Sequence, residues 1–197
     1  MARIRMLHTD ELDPELRALV AADDRTPLEL GNIRIYAHRP ELAKGYVALT
    51  SATRAHRSLP ARLLELVRLR VAFHNQCRSC MAVRYAGAVA DGVTEELVCS
   101  LERPEEADDL TDAERAALRF ADLFANNHLA IDDVVLDDLR RHFSEPEIVE
   151  LGMNVAMFVG FGRLSAVWHM VDELPERFQD DAGGSVTPWG PDAIVVR

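Results

Sequence analysis

The stretch that decides the fold of this chain is residues 65–80, ELVRLRVAFHNQCRSC. Its first part carries apolar residues at three- and four-residue spacing, as in Leu66 and Val71, which predicts one face of an amphipathic helix. We expect this helix to end near Gln76 and a second helix to follow. The stretch therefore predicts a helical pair with Cys77 in the first turn of the second helix.

Cys77 and Cys80 stand three residues apart, so that both side chains lie on one face of a helix. They can close a disulfide or meet the same substrate. Exposed backbone N–H groups and the positive end of the helix dipole stabilise a thiolate in the first turn, where a cysteine pKa can fall from ~8.5 to between ~3.5 and ~7.5. Helix position alone therefore favours Cys77 as the more acidic thiol.

Three interpretations of the cysteine pair are open: a redox pair, half of a metal site, or two small buried residues that pack at a helix start. A zinc site needs at least three protein ligands. The chain has no second CxxC and no HxxxH, while Cys99 and the seven histidines are scattered along it. We therefore expect no metal and no cofactor, and the redox and packing interpretations stay open.

The composition limits the class of protein. The 197 residues are 48% hydrophobic and 28% charged, which is enough for one domain with a sizeable core. A formal net charge of -11 disfavours nucleic acid and anionic membranes as partners, because the field of the protein repels both. We see no signal peptide and no segment approaching the ~20 apolar residues that span a bilayer, and expect a soluble cytoplasmic protein. In that compartment a close cysteine pair is more often catalytic, redox-active or metal-binding than structural.

The rest of the sequence predicts an all-α fold, since no segment has a convincing strand pattern. Thr26 before Pro27 is a helix start signal, and capping boxes begin at Thr111 and Ser144, each ahead of apolar periodic sequence. The predicted helices cover residues 10–23, 27–37, 40–55, 60–74, 77–91, 94–102, 112–127, 132–142 and 145–172.

The predicted helices form a single domain over residues 1–178, followed by a C-terminal tail over residues 179–197. The tail has no hydrophobic period, which predicts a surface extension or an arm onto a partner subunit. A weak internal repeat places Glu65 on Glu150 when the two halves are aligned. Such a repeat would relate two helical halves of the bundle.

The run from Glu65 to Cys80 resembles the core signature of the carboxymuconolactone decarboxylase and alkylhydroperoxidase D superfamily. In this signature, an acid on one helix precedes an asparagine and a CxxC pair on the next. Residues 86–96, 110–121 and 143–151 resemble later parts of the same pattern. The resemblance covers roughly residues 40–170.

The resemblance implies an all-helical fold that assembles into trimers or hexamers, and thiol-dependent reduction of hydroperoxides in members that carry both cysteines. The peroxidatic cysteine of the family matches Cys80, the resolving cysteine matches Cys77, and a glutamate of the proton relay matches Glu65. The implied partners are a small hydroperoxide, a thiol reductant and further copies of the chain. Because helix position favours the opposite order of the two thiols, both orders stay open.

The sequence departs from this family pattern at two positions. Arg84 stands where the alkylhydroperoxidases carry a histidine, and Ser79 stands where many of them carry another. Arginine does not shuttle protons near neutral pH, because its pKa exceeds ~12, but its charge can stabilise a thiolate one helical turn away at Cys80. We therefore expect Arg84 to be an electrostatic activator, with proton transfer through Glu65, His74 or water.

Other interpretations compete with each of these assignments. Glu65 and Arg84 can be solvated charges on a helix surface, and His74 can be a capping or core histidine. A lactone decarboxylase or isomerase, which the superfamily also contains, would use acid–base groups and no thiol pair. A redox-responsive oligomeric binding protein, whose CxxC only switches assembly, is the third function that stays open.

Overall fold

The computed structural model of the chain describes residues 1–179, 184–190 and 193–197. Helices dominate it, and the predicted all-α class is confirmed. Its elements are α1 (Pro14–Leu19), α2 (Pro27–Leu30), α3 (Ile33–Tyr36), α4 (Pro40–Ala55), α5 (Ala61–Asn75), α6 (Arg78–Ala82), β1 (Val83–Tyr85), α7 (Ala86–Ala90), α8 (Glu95–Cys99), α9 (Asp112–Asn126), α10 (Asp133–Arg140), α11 (Glu145–Trp168), α12 (Glu176–Gln179) and β2 (Ile194–Val196).

Helix α5 is the central helix of the fold, since it packs against both α9 and α11. Its Leu66, Val67, Leu69 and Val71 are fully buried and belong to the largest hydrophobic cluster of the described residues. A helix that is buried on more than one side is typical of the core of a globular domain. The cysteine pair follows directly on this helix.

The predicted helix start signals are confirmed. Thr26, Thr111 and Ser144 are the N-caps of α2, α9 and α11, and each forms a capping box with the glutamate three residues later. Pro27 stands in the first turn of α2, where its missing N–H leaves no hydrogen bond unmade. The sequence therefore identifies the beginnings of these three helices correctly.

The prediction of one helix over residues 27–37 is wrong. Gly31 has a φ angle of 48°, a left-handed value that glycine adopts without the clash of a Cβ atom. Helix α2 therefore ends at Leu30, and α3 begins at Ile33.

The prediction of one helix over residues 77–91 is also wrong. Helix α6 ends at Ala82, and the next three residues form β1. This strand pairs in parallel with β2 of the C-terminal tail, with Val83 opposite Ile194. The expectation that the chain contains no strand is therefore corrected at these two short segments.

The break after α6 has a physical cause in the side chains of α5. The carbonyl oxygen of Val83 accepts a hydrogen bond from Arg68, and the N–H of Tyr85 donates to Glu65. Backbone groups that a continuing helix would pair internally are thus paired with charged groups of another helix, which removes the penalty for leaving the helical conformation.

The described part of the C-terminal tail packs on its own chain. The ring of Trp189 lies 4.9 Å from the ring of Phe73, between centroids, and Arg197 forms an ion pair with Glu29 at 2.8 Å. Residues 180–183 and 191–192 of the predicted tail lie outside the described residues. An arm onto a partner subunit stays a prediction.

Helix α11 has the length and composition of a membrane-spanning helix, with a mean hydropathy of 1.2 over its most apolar window. This corrects the expectation that no segment reaches that threshold. In this fold α11 packs against α5 and α9, and 33% of its most apolar 18-residue stretch is buried.

The outer side of α11 carries Val149, Met153 and Val167, which are 61%, 49% and 57% exposed. Because 100° separates successive helical residues, these three lie within about 40° of one another, and we call them the α11 stripe.

Candidate redox site

Cys77 and Cys80 are joined by a disulfide, with their Cα atoms 5.2 Å apart. Cys77 is the N-cap of α6, and Cys80 lies in the first turn of that helix. The two residues differ in access, because Cys77 is completely buried whereas Cys80 is partly exposed. Solvent therefore reaches the pair from the side of Cys80.

Gln76 holds the turn that presents the cysteines. It adopts a left-handed conformation with a φ angle of 50°, and the N–H groups of Gln76 and Cys77 donate to the carbonyl oxygens of Phe73 and Ala72. This is the pairing of a Schellman motif at a helix C-terminus. The side-chain amide of Gln76 also donates to the carbonyl oxygen of Val186 and accepts from its N–H. One residue thus connects α5, the cysteine pair and the C-terminal tail.

Asn75, the asparagine of the family signature, fixes the end of α5 on α11. Its Nδ2 donates to the carbonyl oxygen of Phe158 at 2.9 Å, and its Oδ1 accepts from Arg163 at 3.1 Å. A Cβ atom at Gly162 would lie 2.6 Å from Nδ2 of Asn75, which is too close for any side chain. Gly162 therefore permits the close packing that positions the turn before Cys77.

Glu65 is a buried acid rather than a solvated one, since it is only 3% exposed. Both of its carboxylate oxygens accept hydrogen bonds from Arg68, at 2.7 and 2.8 Å. Arg68 also donates to the carbonyl oxygens of Cys80 and Val83, at 2.6 and 2.8 Å. Burial lowers the pKa of Arg68, but the adjacent carboxylate of Glu65 outweighs burial and leaves that pKa raised. The ion pair therefore clamps the main chain that follows the second cysteine.

Arg84 is also buried, with 1% of its surface exposed, so that it is not a solvated surface charge. Its guanidinium donates to both carboxylate oxygens of Glu95, at 2.9 and 3.0 Å, and to the carbonyl oxygen of Pro188 at 2.6 Å. The expected spacing of one helical turn from Cys80 is wrong, because α6 ends two residues before Arg84. These contacts fasten β1 to α8 and to the C-terminal tail, and activation of a thiolate by Arg84 stays a prediction.

His74 lies on the opposite side of α5 from Glu65, because it stands nine positions later, which is two and a half helical turns. Its Nε2 is 2.6 Å from Oδ1 of Asp122, whose carboxylate also binds Arg70 at 2.7 and 3.0 Å. Burial raises the pKa of Asp122, but hydrogen bonds from His74 and Arg70 outweigh burial and lower that pKa below its usual range. His74 is thus half of an imidazole–carboxylate pair directed at α9.

A small cavity of about 30 Å³ adjoins the cysteine turn. It lies between the segment that contains the cysteines and the end of α11. Ser79, which stands between the two cysteines, lines the cavity, and its hydroxyl oxygen is 3.6 Å from the sulfur of Cys77. The lining residues are Gln76, Arg78, Ser79, Ser165, Ala166, His169, Met170 and Val171.

A larger open groove of about 380 Å³ lies between α9 and α10, and mostly charged side chains line it. None of its lining residues belongs to the cysteine segment. Of these two, the smaller cavity is the one that adjoins the cysteine turn, and neither cysteine is among its lining residues.

The structure brings two predicted residues, Glu65 and Arg84, to the segment that follows the cysteine pair, and places His74 elsewhere. Sequence reasoning missed Arg68. Arg68 had a signal, because it stands three residues after Glu65 on one helix face.

Comparison with known proteins supports the resemblance found in the sequence. A sequence model of the carboxymuconolactone decarboxylase family matches residues 40–123. Two uncharacterized proteins of Mycobacterium tuberculosis, from strains CDC 1551 / Oshkosh and ATCC 25618 / H37Rv, are each 38% identical over 101 residues, or 50% of this chain and 35% of theirs. The chain thus spans about a third of the length of the curated relatives it matches.

Solved structures share the fold. A peroxidase-related protein with an alkylhydroperoxidase AhpD core from Ralstonia eutropha JMP134 is 18% identical and has a TM-score of 0.75, covering 90% of this chain and 94% of that one. A debrominase in complex with 2,3,4-tribromopyrrole is 21% identical and has a TM-score of 0.67, covering 85% and 90%. The carboxymuconolactone decarboxylase family model thus matches 84 of the 197 residues, and the fold of the chain is the helical fold of the solved protein with an alkylhydroperoxidase AhpD core.

Proposed function

We propose that this chain is a thiol-dependent peroxidase that reduces small hydroperoxides with Cys77 and Cys80. The observation that carries the proposal is the disulfide at the start of α6, with one cysteine partly exposed and the other buried. The match to the family model and the shared fold support a peroxidase-related or lactone-processing role. The cysteine pair favours the peroxidase, because lactone chemistry needs no thiols.

In the proposed reaction, the thiolate of Cys80 attacks one oxygen of the peroxide and the O–O bond breaks. The second oxygen leaves as hydroxide or alkoxide and takes up a proton, while Cys80 becomes a sulfenic acid. The thiol of Cys77 then attacks the sulfenic sulfur, which forms the disulfide and releases water. Two electrons have passed from the two sulfurs to the peroxide, and a dithiol reductant returns them by thiol–disulfide exchange.

Access supports Cys80 as the attacking thiol. Its side chain is partly exposed, whereas Cys77 is completely buried and is reached only once its partner has reacted. Position at the N-cap of α6 favours a Cys77 thiolate, but an inaccessible thiolate does not meet the oxidant. We therefore adopt the order that the family resemblance implies.

Glu65 acts in this proposal as a positioning residue in the oxidised protein. Both of its carboxylate oxygens are occupied by Arg68, which in turn holds the carbonyl oxygen of Cys80. A direct part in proton transfer requires that the clamp loosens when the disulfide is reduced.

Peroxide consumption with dithiothreitol tests the proposal, with the wild type compared with Cys77→Ser and Cys80→Ser. We expect both variants to lose turnover. Cys99→Ser is the matched control, because Cys99 is a free and exposed cysteine on α8, and it should keep the wild-type rate. Wild-type turnover by Cys80→Ser would contradict the mechanism. Oxidation of the wild type by one equivalent of peroxide, without turnover under any reductant, would favour a redox-responsive binding protein instead.

The second candidate function is acid–base processing of a lactone, which the family also supports. The observation in its favour is the His74–Asp122 pair, with 2.6 Å between Nε2 and Oδ1, because a carboxylate that orients an imidazole is a common arrangement for a general base. Decarboxylation of carboxymuconolactone by a variant without either cysteine, and its loss in His74→Gln, would favour this function over the peroxidase.

We also propose that the chain forms a homo-oligomer through the α11 stripe. The stripe presents Val149, Met153 and Val167 to solvent, and the exposed Ala156 and Gly160 lie on the same side of the helix, so that another α11 can approach closely. The family resemblance implies that a second copy of the chain binds to the α11 stripe. Trimers or hexamers are the assemblies expected.

A further inference from the structure

We propose that the C-terminal tail stabilises the disulfide form of Cys77 and Cys80, and that Gln76 is the positioning residue through which the tail acts. The part of the tail concerned is residues 184–190, which lie beside the cysteine turn and which we call the strap. The inference goes beyond the proposed peroxidase reaction, because it concerns the equilibrium between the disulfide and the dithiol, whatever the oxidant is.

The strap contacts the chain on both sides of the cysteine pair. Before Cys77, the side chain of Gln76 accepts a hydrogen bond from the N–H of Val186 at 2.9 Å and donates to its carbonyl oxygen at 3.2 Å. After α6, Arg84 donates to the carbonyl oxygen of Pro188 at 2.6 Å. The segment that carries the disulfide is therefore held at both ends by the same short stretch of chain.

Apolar contacts reinforce these hydrogen bonds. The rings of Trp189 and Phe73 lie 4.9 Å apart, between centroids, and Phe73 stands four positions before Cys77 in α5. Val186 packs against the same hydrophobic cluster as Cys80. Polar and apolar contacts of the strap therefore converge on the turn between α5 and α6.

Gln76 has a conformation that a residue with a Cβ atom does not adopt freely. Its φ angle of 50° lies in the left-handed region, where glycine is the usual residue at a helix C-terminus and other residues pay a steric cost. Such a conformation persists only where its surroundings hold it. Two constraints hold it here: the hydrogen bonds between its side chain and Val186, and the disulfide, which fixes the backbone that follows.

Two constraints on one turn are coupled. A turn that the disulfide has already ordered loses less conformational entropy when the strap binds it, and the same holds in the opposite order. The coupling is reciprocal, so that the strap favours the disulfide by the same factor as the disulfide favours the docked strap. The strap therefore makes the pair harder to reduce, and reduction of the pair loosens the strap.

The first test measures the equilibrium with dithiothreitol. One thiolate of dithiothreitol attacks the protein disulfide and its second thiol completes the exchange, so that two electrons and two protons pass to Cys77 and Cys80 while dithiothreitol becomes a cyclic disulfide. Incubation with mixtures of reduced and oxidised dithiothreitol, trapping with iodoacetamide and mass spectrometry give the equilibrium constant. The dithiol carries two more adducts than the disulfide form, because the free and exposed Cys99 reacts in both.

Gln76→Ala removes both hydrogen bonds to Val186 but keeps a Cβ atom, and hence the steric cost of the turn. We expect the equilibrium constant to shift about 10-fold toward the dithiol, as the loss of two hydrogen bonds implies, which equals about 30 mV for a two-electron couple. Trp189→Ala leaves the turn itself intact and should shift the constant about 5-fold in the same direction. Ser185→Ala is the matched control, because Ser185 is an exposed residue of the strap, and it should leave the constant unchanged.

The second test measures the docking of the strap. Hydrogen–deuterium exchange with mass spectrometry reports the opening of the peptide that contains Val186, whose N–H is bonded to Gln76 in the disulfide form. We expect this peptide to exchange about 10-fold faster after reduction, because the coupling factor is the same in both directions. The double variant Cys77→Ser, Cys80→Ser is the control for dithiothreitol, which should not change its exchange.

The outcomes separate this inference from the proposed function. If folded Gln76→Ala and Trp189→Ala keep the wild-type equilibrium constant, or if the strap exchanges equally fast in both redox states, the strap is only packed on the turn and the inference is wrong. If dithiothreitol does not reduce the folded wild type, the inference and the peroxidase function both fail. If the shifts are found but the wild type consumes no peroxide, the inference stands and the peroxidase function alone fails.

Discussion

Arg68 donates a hydrogen bond to the carbonyl oxygen of Cys80 at 2.6 Å, while the remainder of its guanidinium holds Glu65. The acid of the family signature is thus tied to the second cysteine through one arginine. A buried ion pair contributes little net stability compared with apolar packing, but removing one partner is costly because a charge is left unpaired. The pair is therefore best understood as a device that fixes the main chain after the disulfide.

Removal of one partner of this clamp should destabilise the protein. Glu65→Ala leaves the guanidinium of Arg68 buried without its carboxylate, and we expect a loss of about 3–5 kcal/mol in the free energy of unfolding, measured by urea denaturation. Arg103→Ala is the matched control, because Arg103 and Glu106 form an ion pair with both side chains at least 70% exposed. Exposed pairs contribute about 1 kcal/mol or less, and an equally small loss in Glu65→Ala would contradict the clamp.

The sequence predicted the fold where the determinants are local. Capping boxes at Thr111 and Ser144 set the starts of two helices, and apolar periodicity identified the central helix α5. Prediction from the sequence failed where an element depends on contacts with residues that are distant in the chain. The end of α6 depends on hydrogen bonds from Glu65 and Arg68 and on pairing with a strand more than a hundred residues later.

The residues of the candidate site could likewise be predicted from the sequence only where their determinants are local. The spacing from Glu65 to Cys77 and Cys80 is contained in one stretch, so that these residues could be named from the sequence. Helical geometry alone would have turned His74 away from Glu65, since it stands nine positions later. The surroundings of Arg84 could not be derived, because they depend on Pro188 of the tail.

Arg84 should act chiefly on the C-terminal tail. Arg84→Met removes the hydrogen bonds to Glu95 and to the carbonyl oxygen of Pro188, and we expect the tail to be cleaved about 10-fold faster in limited proteolysis, as loss of charged hydrogen bonds implies. The pH profile of thiol alkylation should stay unchanged. A raised pKa of the reactive thiol would instead support the electrostatic role that the sequence suggested.

Asp122 should contribute to stability in a manner that depends on pH. Although burial raises its pKa, His74 and Arg70 lower that pKa in the folded chain, so that its contribution is present above the unfolded pKa of about 4 and is lost as the pH falls below it. Asp122→Asn should therefore be less stable than the wild type at neutral pH and lose less stability on acidification.

Urea midpoints between pH 6 and pH 2 measure this difference, over a range that brackets the unfolded pKa of about 4. Asp137→Asn is the control for loss of a carboxylate, because Asp137 is 66% exposed on α10. If the urea midpoints of Asp122→Asn and of the wild type fall equally as the pH is lowered, Asp122 does not contribute to the loss of stability in acid.

The α11 stripe should control assembly. Met153→Glu places a charge at its centre, where burial against another copy would cost several kcal/mol, and we expect the protein to elute as a monomer in size-exclusion chromatography with light scattering. Glu145→Gln, at the first position of the same helix, is a control that leaves the stripe intact. An unchanged oligomer in Met153→Glu would place the interface on another surface.

The product that each cysteine variant forms with peroxide should distinguish the attacking cysteine from the resolving one. In Cys77→Ser, the accessible Cys80 still attacks peroxide, but no second thiol stands three residues away to resolve it, so that a sulfenic acid should accumulate. Dimedone labelling followed by mass spectrometry should locate one adduct at Cys80 per chain. Cys80→Ser should give no such adduct within the same time, because Cys77 is completely buried. An adduct at Cys77 in that variant, formed as fast as the adduct at Cys80 in the other, would reverse the order of the thiols and show that stabilisation at the N-cap outweighs access.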